Sequence, residues 1–143
     1  MFIKQLSIFA ENRKGCVAEL AEVLANAGIE IRALYVADTS DFGIVRIIAD
    51  KPEEAAKVLK EQGHTVSLTD VIAANLSDAP GGFARVVRTL SDHDIDVEYM
   101  YAFITRVSGN ACVILRIKEA QQALDVFAKS GIAVLTSSAV YNM

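Results

Sequence analysis

The feature that most constrains this chain is an internal repeat. Sixty-six positions separate Gly15 from Gly81, Leu24 from Leu90, Ile29 from Ile95, Tyr35 from Tyr101 and Gly43 from Gly109. Gly63 and Gly131 are 68 apart, which implies two extra residues near the exit of the third strand of the second copy. A fixed period of this kind is a stronger fold signal than any single propensity, because every anchor must fall at the same place in the same order of elements.

That order can be read along each copy. Phe2 to Phe9 is an apolar, strand-forming run, followed by the polar turn Ala10-Glu11-Asn12-Arg13-Lys14-Gly15. Val17, Leu20, Val23, Leu24 and Ala27 then recur at helical spacing, and Gly28 stops the helix as a left-handed cap. Ile29–Ala37 and Phe42–Ala49 read as strands joined by Asp38-Thr39-Ser40-Asp41, which is turn chemistry. Asp50-Lys51-Pro52-Glu53-Glu54 starts a helix with a capping acid, a first-turn proline and acids at its positive end. Ala55, Val58, Leu59 and Gln62 form its stripe, Gly63 ends it, and His64–Thr69 is the fourth strand. The second copy repeats the pattern. Val71–Leu76 is a strand, and Gly81 or Gly82 opens a helix with the stripe Phe83, Val86, Val87 and Leu90. Ile95–Thr105 and Asn110–Ile117 are strands. A helix through Ala120, Ala123, Leu124 and Phe127 is stopped by Gly131, and Ile132–Thr136 is a last strand.

Each copy is thus βαββαβ. The fold class is α+β: two ferredoxin-like units, residues 1–69 and 70–143, each an antiparallel four-stranded sheet with both helices on one face. Their crossovers should be right-handed. Thr69-Asp70-Val71 holds neither Gly nor Pro, so the fourth strand of the first copy runs almost directly into the first strand of the second. In the second copy Val97, Tyr99, Tyr101 and Phe103 share one strand face, and Met100, Ala102 and Ile104 the other. The helices cover only one face, so a second chain is expected to cover part of the other, giving a homodimer.

Composition removes several functions. Net charge is −4, and the 14 basic residues are scattered, which argues against a nucleic-acid surface. No apolar run approaches the ~20 residues of a membrane span, and the N-terminus lacks a signal-peptide layout, so the expectation is a cytoplasmic protein. Cys16 and Cys112 form neither a disulfide framework nor a zinc motif. Cys112 reads as a small buried hydrophobe. No nucleophile elbow, Walker loop or His-Glu-x-x-His is present, so nothing asks for catalysis, a metal or a cofactor.

The two glycine turns carry the functional reading. Each joins a strand to a helix N-terminus, where backbone N–H groups lack intrahelical partners and the dipole adds positive charge. A carboxylate can dock there. The second turn is Leu76-Ser77-Asp78-Ala79-Pro80-Gly81-Gly82-Phe83.

The segment Glu11-Asn12-Arg13-Lys14-Gly15-Cys16-Val17, with Ala27-Gly28-Ile29-Glu30-Ile31 about ten residues on, resembles the signature of an ACT domain. So does Asp78-Ala79-Pro80-Gly81-Gly82-Phe83 with Asp94-Ile95-Asp96-Val97. Lys14 stands in place of the family's proline, and Asp94 in place of its strand 2 glycine. The resemblance covers essentially the whole chain, as in free-standing tandem ACT proteins. It implies regulatory binding of a free amino acid or related metabolite at the interface between units, near the strand 1–helix 1 turn and the start of strand 2. Asn12 and Asp78 are the first ligand candidates, and the backbone N–H groups of Gly15, Cys16, Gly81, Gly82 and Phe83 the second. Glu30 and Asp96 are placed to receive an ammonium.

The leading expectation is a sensor that binds an amino acid and alters its association with a partner. The rival is a regulatory small subunit of a partner enzyme of amino-acid biosynthesis, such as acetolactate synthase. The same fold also serves enzymes and RNA-binding modules, and fold alone does not decide between them. RNA binding needs aromatics in a basic setting that this acidic chain lacks.

Overall fold

Alternating apolar residues and helical stripes fold where the repeat places them. The computed structural model describes residues 2–11, 13–38, 42–77, 79–104 and 110–142. The elements are β1 (Ile3–Glu11), α1 (Cys16–Asn26), β2 (Ile31–Asp38), β3 (Phe42–Ala49), α2 (Pro52–Glu61) and β4 (Thr65–Leu76). They continue with α3 (Gly82–Asp92), β5 (Val97–Ile104), β6 (Ala111–Ile117), α4 (Ala120–Ser130) and α5 (Ser137–Tyr141). The fold is α+β, with two compact units. One spans Lys4–Thr69; the other spans Asp70–Tyr141 with the residues up to Ile3. Thr105 and Gly109, and the turn residues Thr39, Ser40 and Asp41, lie outside the described residues.

In the first unit the strand order is β2-β3-β1-β4. β3 pairs antiparallel with β1 (Leu6 opposite Ile47, Glu11 opposite Phe42) and with β2 (Leu34 opposite Ile47, Asp38 opposite Gly43). Side chains directly opposite share a face, so Leu6, Ile8, Val45 and Ile47 present one apolar surface. Leu20 and Leu24 of α1 and Ala55 and Leu59 of α2 close over it. In the second unit the order is β4-β6-β5, again antiparallel, with α3 and α4 burying Val86, Leu90, Ala123 and Phe127 against Ile72, Val113 and Leu115.

Three readings of the sequence need correction. The strands expected at His64–Thr69 and Val71–Leu76 are one strand, because nothing between them breaks an extended chain. The strand expected at Ile132–Thr136 is reduced to a single bridge, Val134 opposite Ala74. Two hydrogen bonds flank it, from Asn75 N–H to Ala133 O (2.9 Å) and from Leu135 N–H to Ala73 O (2.8 Å). The chain then turns into α5, which sequence reading missed. Thr136 starts it by accepting the Ala139 N–H on its hydroxyl at 3.0 Å, and Val140 anchors it in the interior.

The third correction concerns the face of β5 offered to a second chain. Tyr101 is only 8% exposed, and Ile114 opposite it and Cys112 opposite Phe103 are fully buried within this one chain. Strand alternation does not tell what lies over a face, and it fails outright at Val97, which a register shift before Tyr99 places with Met100 against the helix-side core. Among the described residues the large exposed apolar side chains include Leu34 and Val36 on β2, Phe9 and Phe42 beside the first turn, and Val17 and Phe83 in the first turns of α1 and α3.

All four long helices end the same way. Ile29 N–H reaches back to Leu24 O, His64 N–H to Leu59 O, Ile95 N–H to Leu90 O and Ile132 N–H to Phe127 O, each at 3.0 Å. This closure needs a left-handed residue just before the donor. Glycine fills that place at Gly28 (φ 71°), Gly63 (φ 86°) and Gly131 (φ 70°), but the second copy uses Asp94 (φ 54°). An L side chain is strained there, although Asp tolerates it better than most. Asp94→Gly should stabilise the protein by up to about 1 kcal/mol, and Gly28→Asp should cost about 1 kcal/mol. Urea denaturation of both variants tests the pair, and equal midpoints would refute the account.

Candidate functional site

In the first unit β1 passes into α1 through a backbone turn that closes on itself. Arg13 N–H bonds Glu11 O at 2.8 Å, Cys16 N–H approaches Arg13 O at 3.4 Å, and Glu19 N–H makes the first helical bond, to Gly15 O, at 2.9 Å. Gly15 sits at the helix start with φ 84°. It has no side chain to cap the leading N–H groups, so the end of the helix stays electropositive. Asn12, the first ligand candidate, lies outside the described residues.

The side chains around this turn form a charged constellation that sequence reading did not foresee. Arg13 grips Glu19 with two bonds, Nη1 to Oε1 at 3.0 Å and Nη2 to Oε2 at 2.7 Å, and its Nε lies 3.6 Å from Glu11 Oε2. The donated hydrogen bonds from Arg13, then its charge, hold the Glu19 carboxyl below the usual carboxylate range. Beside this pair a cleft of about 580 Å³ opens between the end of β1, one side of α1, and the junction of α2 with β4. Its walls include Phe9 and Phe42, Cys16, Glu19 and Glu22 of α1, and His64. A signal for it existed. Cys16, Glu19, Val23 and Asn26 form a second helical stripe beside the core stripe of Leu20 and Leu24, and a polar stripe flanking a buried one borders whatever gap the core leaves.

The second unit repeats the turn. Gly82 N–H bonds Ala79 O at 3.1 Å, Arg85 N–H bonds Gly81 O at 2.9 Å, and Gly81 has φ 93°. Asp78 lies outside the described residues. The Gly82 N–H, offered as a ligand donor, is already engaged within the turn, as the Cys16 N–H is in the first copy. A Cβ on Gly82 would lie 2.5 Å from Ser77 O, so this glycine is required by close approach of backbone. Phe83, expected in the buried stripe, is 48% exposed. The cleft that matches the first one holds about 230 Å³, and a more open hollow of about 610 Å³, lined by Gly81, Arg85 and Arg88, lies along the outer side of α3.

The remaining candidates stand apart. Glu30 donates its N–H to Asp50 Oδ1 at 3.0 Å and accepts Arg32 Nη1 on Oε2 at 2.6 Å. Strand register puts it at the opposite end of its sheet, since Glu11 faces Phe42 while Ile31 faces Ala49. Seven residues of extended chain intervene, roughly 23 Å at ~3.3 Å per residue. Asp96 is likewise remote from the second turn, because Leu76 faces Ala111 while Val97 faces Ile117. Within either unit, therefore, the turn and the start of strand 2 do not converge. Tyr35 has the Arg46 guanidinium 5.7 Å from its ring centroid, a packing role rather than a pocket wall.

Among the described residues no group of His, Cys, Asp and Glu could hold a metal ion, and no helix is long and apolar enough to cross a membrane. Both cysteines are free and buried. Burial pushes the Cys112 thiol up to about 12. Native protein at pH 8 should therefore leave Cys112 unmodified by a thiol reagent, and denaturation should release it. The raised folded value also means that its contribution to stability is complete below about pH 8.5 and is lost as pH climbs towards 12. Labelling followed by peptide mass mapping checks the first point, and rapid native labelling of Cys112 would contradict it.

Comparison with known proteins follows this geometry. The family model described as an ACT domain pair matches residues 1–143. Protein BT0572 from Bacteroides thetaiotaomicron is 36% identical, with a TM-score of 0.94 over 100% of this chain and 98% of that one. The ligand-free regulatory subunit of aspartate kinase from Thermus thermophilus is similar at 17% identity, with a TM-score of 0.63 over 90% of this chain and 93% of that one. The regulatory subunit of aspartate kinase from Thermus flavus gives 17% identity and a TM-score of 0.58 over 90% and 92%. The likeness to these two subunits is one of fold. No curated protein matches the sequence.

Proposed function

Because this chain belongs to the family of ACT domain pairs, we propose that it is a regulatory module. It binds a free amino acid or related small metabolite at the first glycine turn and changes its association with a partner in response. The observation that carries this reading is the cleft of about 580 Å³ beside the uncapped start of α1. A carboxylate at that helix start gains from the leading N–H groups and the dipole. An ammonium in the same molecule meets Glu22 and the Glu19–Arg13 pair across the cleft. Such a ligand needs no metal and no cofactor. The module acts in the cytoplasm as a homodimer. Leu34 and Val36, exposed on the edge strand β2, are the apolar surface that a second copy would cover. A monodisperse monomer by light scattering at tens of micromolar would remove the dimer from the reading.

A second reading makes the partner the catalytic subunit of a biosynthetic enzyme. The likeness in fold to regulatory subunits of aspartate kinase motivates it, and co-purification of a catalytic subunit from the native cell would favour it.

Thermal-shift screening against the common amino acids, with titration calorimetry on each hit, tests the ligand. A ligand at about 100 times its dissociation constant stabilises the native state by about 2.7 kcal/mol. Glu22→Gln removes one charge-assisted partner of the ammonium and should weaken binding by about tenfold or more. No shift with any amino acid, or full affinity in Glu22→Gln, would count against the ligand class or the site respectively.

A further inference from the structure

The two clefts occupy matching positions in the repeat, yet they are built differently. Phe9 corresponds to Asn75, Cys16 to Gly82, Glu19 to Arg85 and Gly63 to Gly131, and each of these residues lines its own cleft. At the third of these pairs the charge is inverted. Glu19 is held by Arg13. Arg85 instead crosses its cleft to the end of α4, where Nη2 donates to Ser130 O at 2.5 Å. The same nitrogen lies 3.5 Å from where a Cβ on Gly131 would stand. A guanidinium there satisfies a carbonyl left over at a helix C-terminus and meets the negative end of the dipole. The counterpart of Ser130 is Gln62, at the end of α2. The counterpart of Arg85 is a carboxylate, which has no proton to donate to that carbonyl. Glu22 is inverted as well, to Arg88, which faces Asp92 at 3.8 Å rather than the cleft.

The cation that lines the first cleft, Arg13, is held on Glu19, whereas the cation of the second, Arg85, is held at the end of α4. We propose that the first unit alone accepts a ligand, through a cationic group that takes the place filled in the second unit by the Arg85 guanidinium. The site binds one ligand per chain, and the ligand is an ammonium- or guanidinium-bearing small molecule. This rests on the reading of the chain as a small-ligand module and adds which cleft is used and by what chemistry. The second cleft is the smaller copy, about 230 Å³ against about 580 Å³: Arg85 crosses it to Ser130, and the backbone of α3 stands too near Ser77 for any side chain at Gly82.

Amide-resolved NMR titration of the full chain tests this, using each common amino acid and, for any that binds, its N-acetyl derivative. The expected result is saturable shifts at Glu19, Gly63 and Thr65 with one site per chain, no shift at Gly82, Arg85 or Gly131, and loss of binding on N-acetylation. Arg85→Glu, which removes the cation that crosses the second cleft, should add a second set of shifts at Gly82 and Gly131. Binding in both clefts of the unaltered chain, or only in the second, overturns the proposal and leaves the amino-acid reading standing. Equal binding of the N-acetyl form does the same. Silence towards every amino acid overturns both together.

Discussion

Phe127→Ala should lower the free energy of unfolding by about 3–5 kcal/mol, the range for removing a fully buried aromatic ring. Phe127 is 0% exposed, and it packs in the core of the second unit with Leu90, Leu115 and Ala123. Its main chain matters too. The Phe127 carbonyl accepts the Ile132 N–H at 3.0 Å, so the ring and the closure that ends α4 are fixed at one residue. Truncation leaves a ring-sized void that a sheet on one side and two helices on the other cannot collapse to fill. Since whole domains are stable by only about 5–15 kcal/mol, the variant should sit near the edge of folding. Phe127→Leu keeps most of the volume and should cost well under half as much. Urea denaturation followed by circular dichroism measures both. A loss below about 1.5 kcal/mol in Phe127→Ala would mean that this core is looser than its burial implies.

Phe127 was readable from the sequence, and the reason is local. It lies in a helical stripe with Ala120, Ala123 and Leu124, and Gly131 follows at the stop. The same logic found the other helix ends, because a left-handed cap selects glycine by sterics that no distant contact can alter. The family resemblance, not the cap logic, marked Asp94 as a departure, and the structure puts that residue at φ 54° in the glycine's role. Failure came where a competing or covering contact, near or remote in sequence, is invisible to propensity and alternation. The last strand shrank to one bridge because Thr136 offered its hydroxyl to the start of α5, a local competitor that strand propensity ignores. The face of β5 was assigned to a second chain because its alternation is visible in the sequence while its cover is not.

The candidate site divides along the same line. The position of both turns, and the presence of glycine in each, followed from the strand–turn–helix pattern; the left-handed backbone of Gly15 and Gly81 is read from the structure. The residues that give each cleft its character did not. Arg13 reaches six residues along the chain to Glu19, and Arg85 reaches forty-five to Ser130. Neither pairing has a spacing that could be recognised beforehand. Glu30 and Asp96 were grouped with the turns by analogy, but antiparallel register carries each to the far end of its own sheet. A test that treats Asn12, Gly15, Glu30, Asp78 and Asp96 as one group would therefore mix separate places. The residues to vary together are Glu19 with Glu22 in one unit, and Arg85 in the other.

Gly82→Ala should destabilise the protein by about 1–3 kcal/mol, the cost of forcing an extra carbon into a packed site. The added Cβ would stand 2.5 Å from Ser77 O and 3.2 Å from Ser77 Oγ, and the nearer atom is backbone at the end of β4, which cannot swing aside. Its counterpart Cys16 carries a side chain, so a Cβ is compatible with this kind of turn in general. What forbids it at Gly82 is the Ser77 carbonyl, which stands where the Cβ would have to go. Relief would require α3 to move away from Ser77, and that movement would also pull Arg85 from Ser130. Gly82→Ala is therefore a control on the second cleft as well as on stability. The variant should lose stability and should also loosen the Arg85 contact, read as faster amide exchange at Gly131 and Ile132. Gly15→Ala sets the comparison. A Cβ there meets nothing within 4 Å, so its cost comes from the left-handed backbone at φ 84° alone, about 1 kcal/mol. If Gly82→Ala proved no more costly than Gly15→Ala and left exchange at Gly131 unchanged, the approach of Gly82 to Ser77 would not be what narrows the second cleft, and Arg85 would have to do so alone.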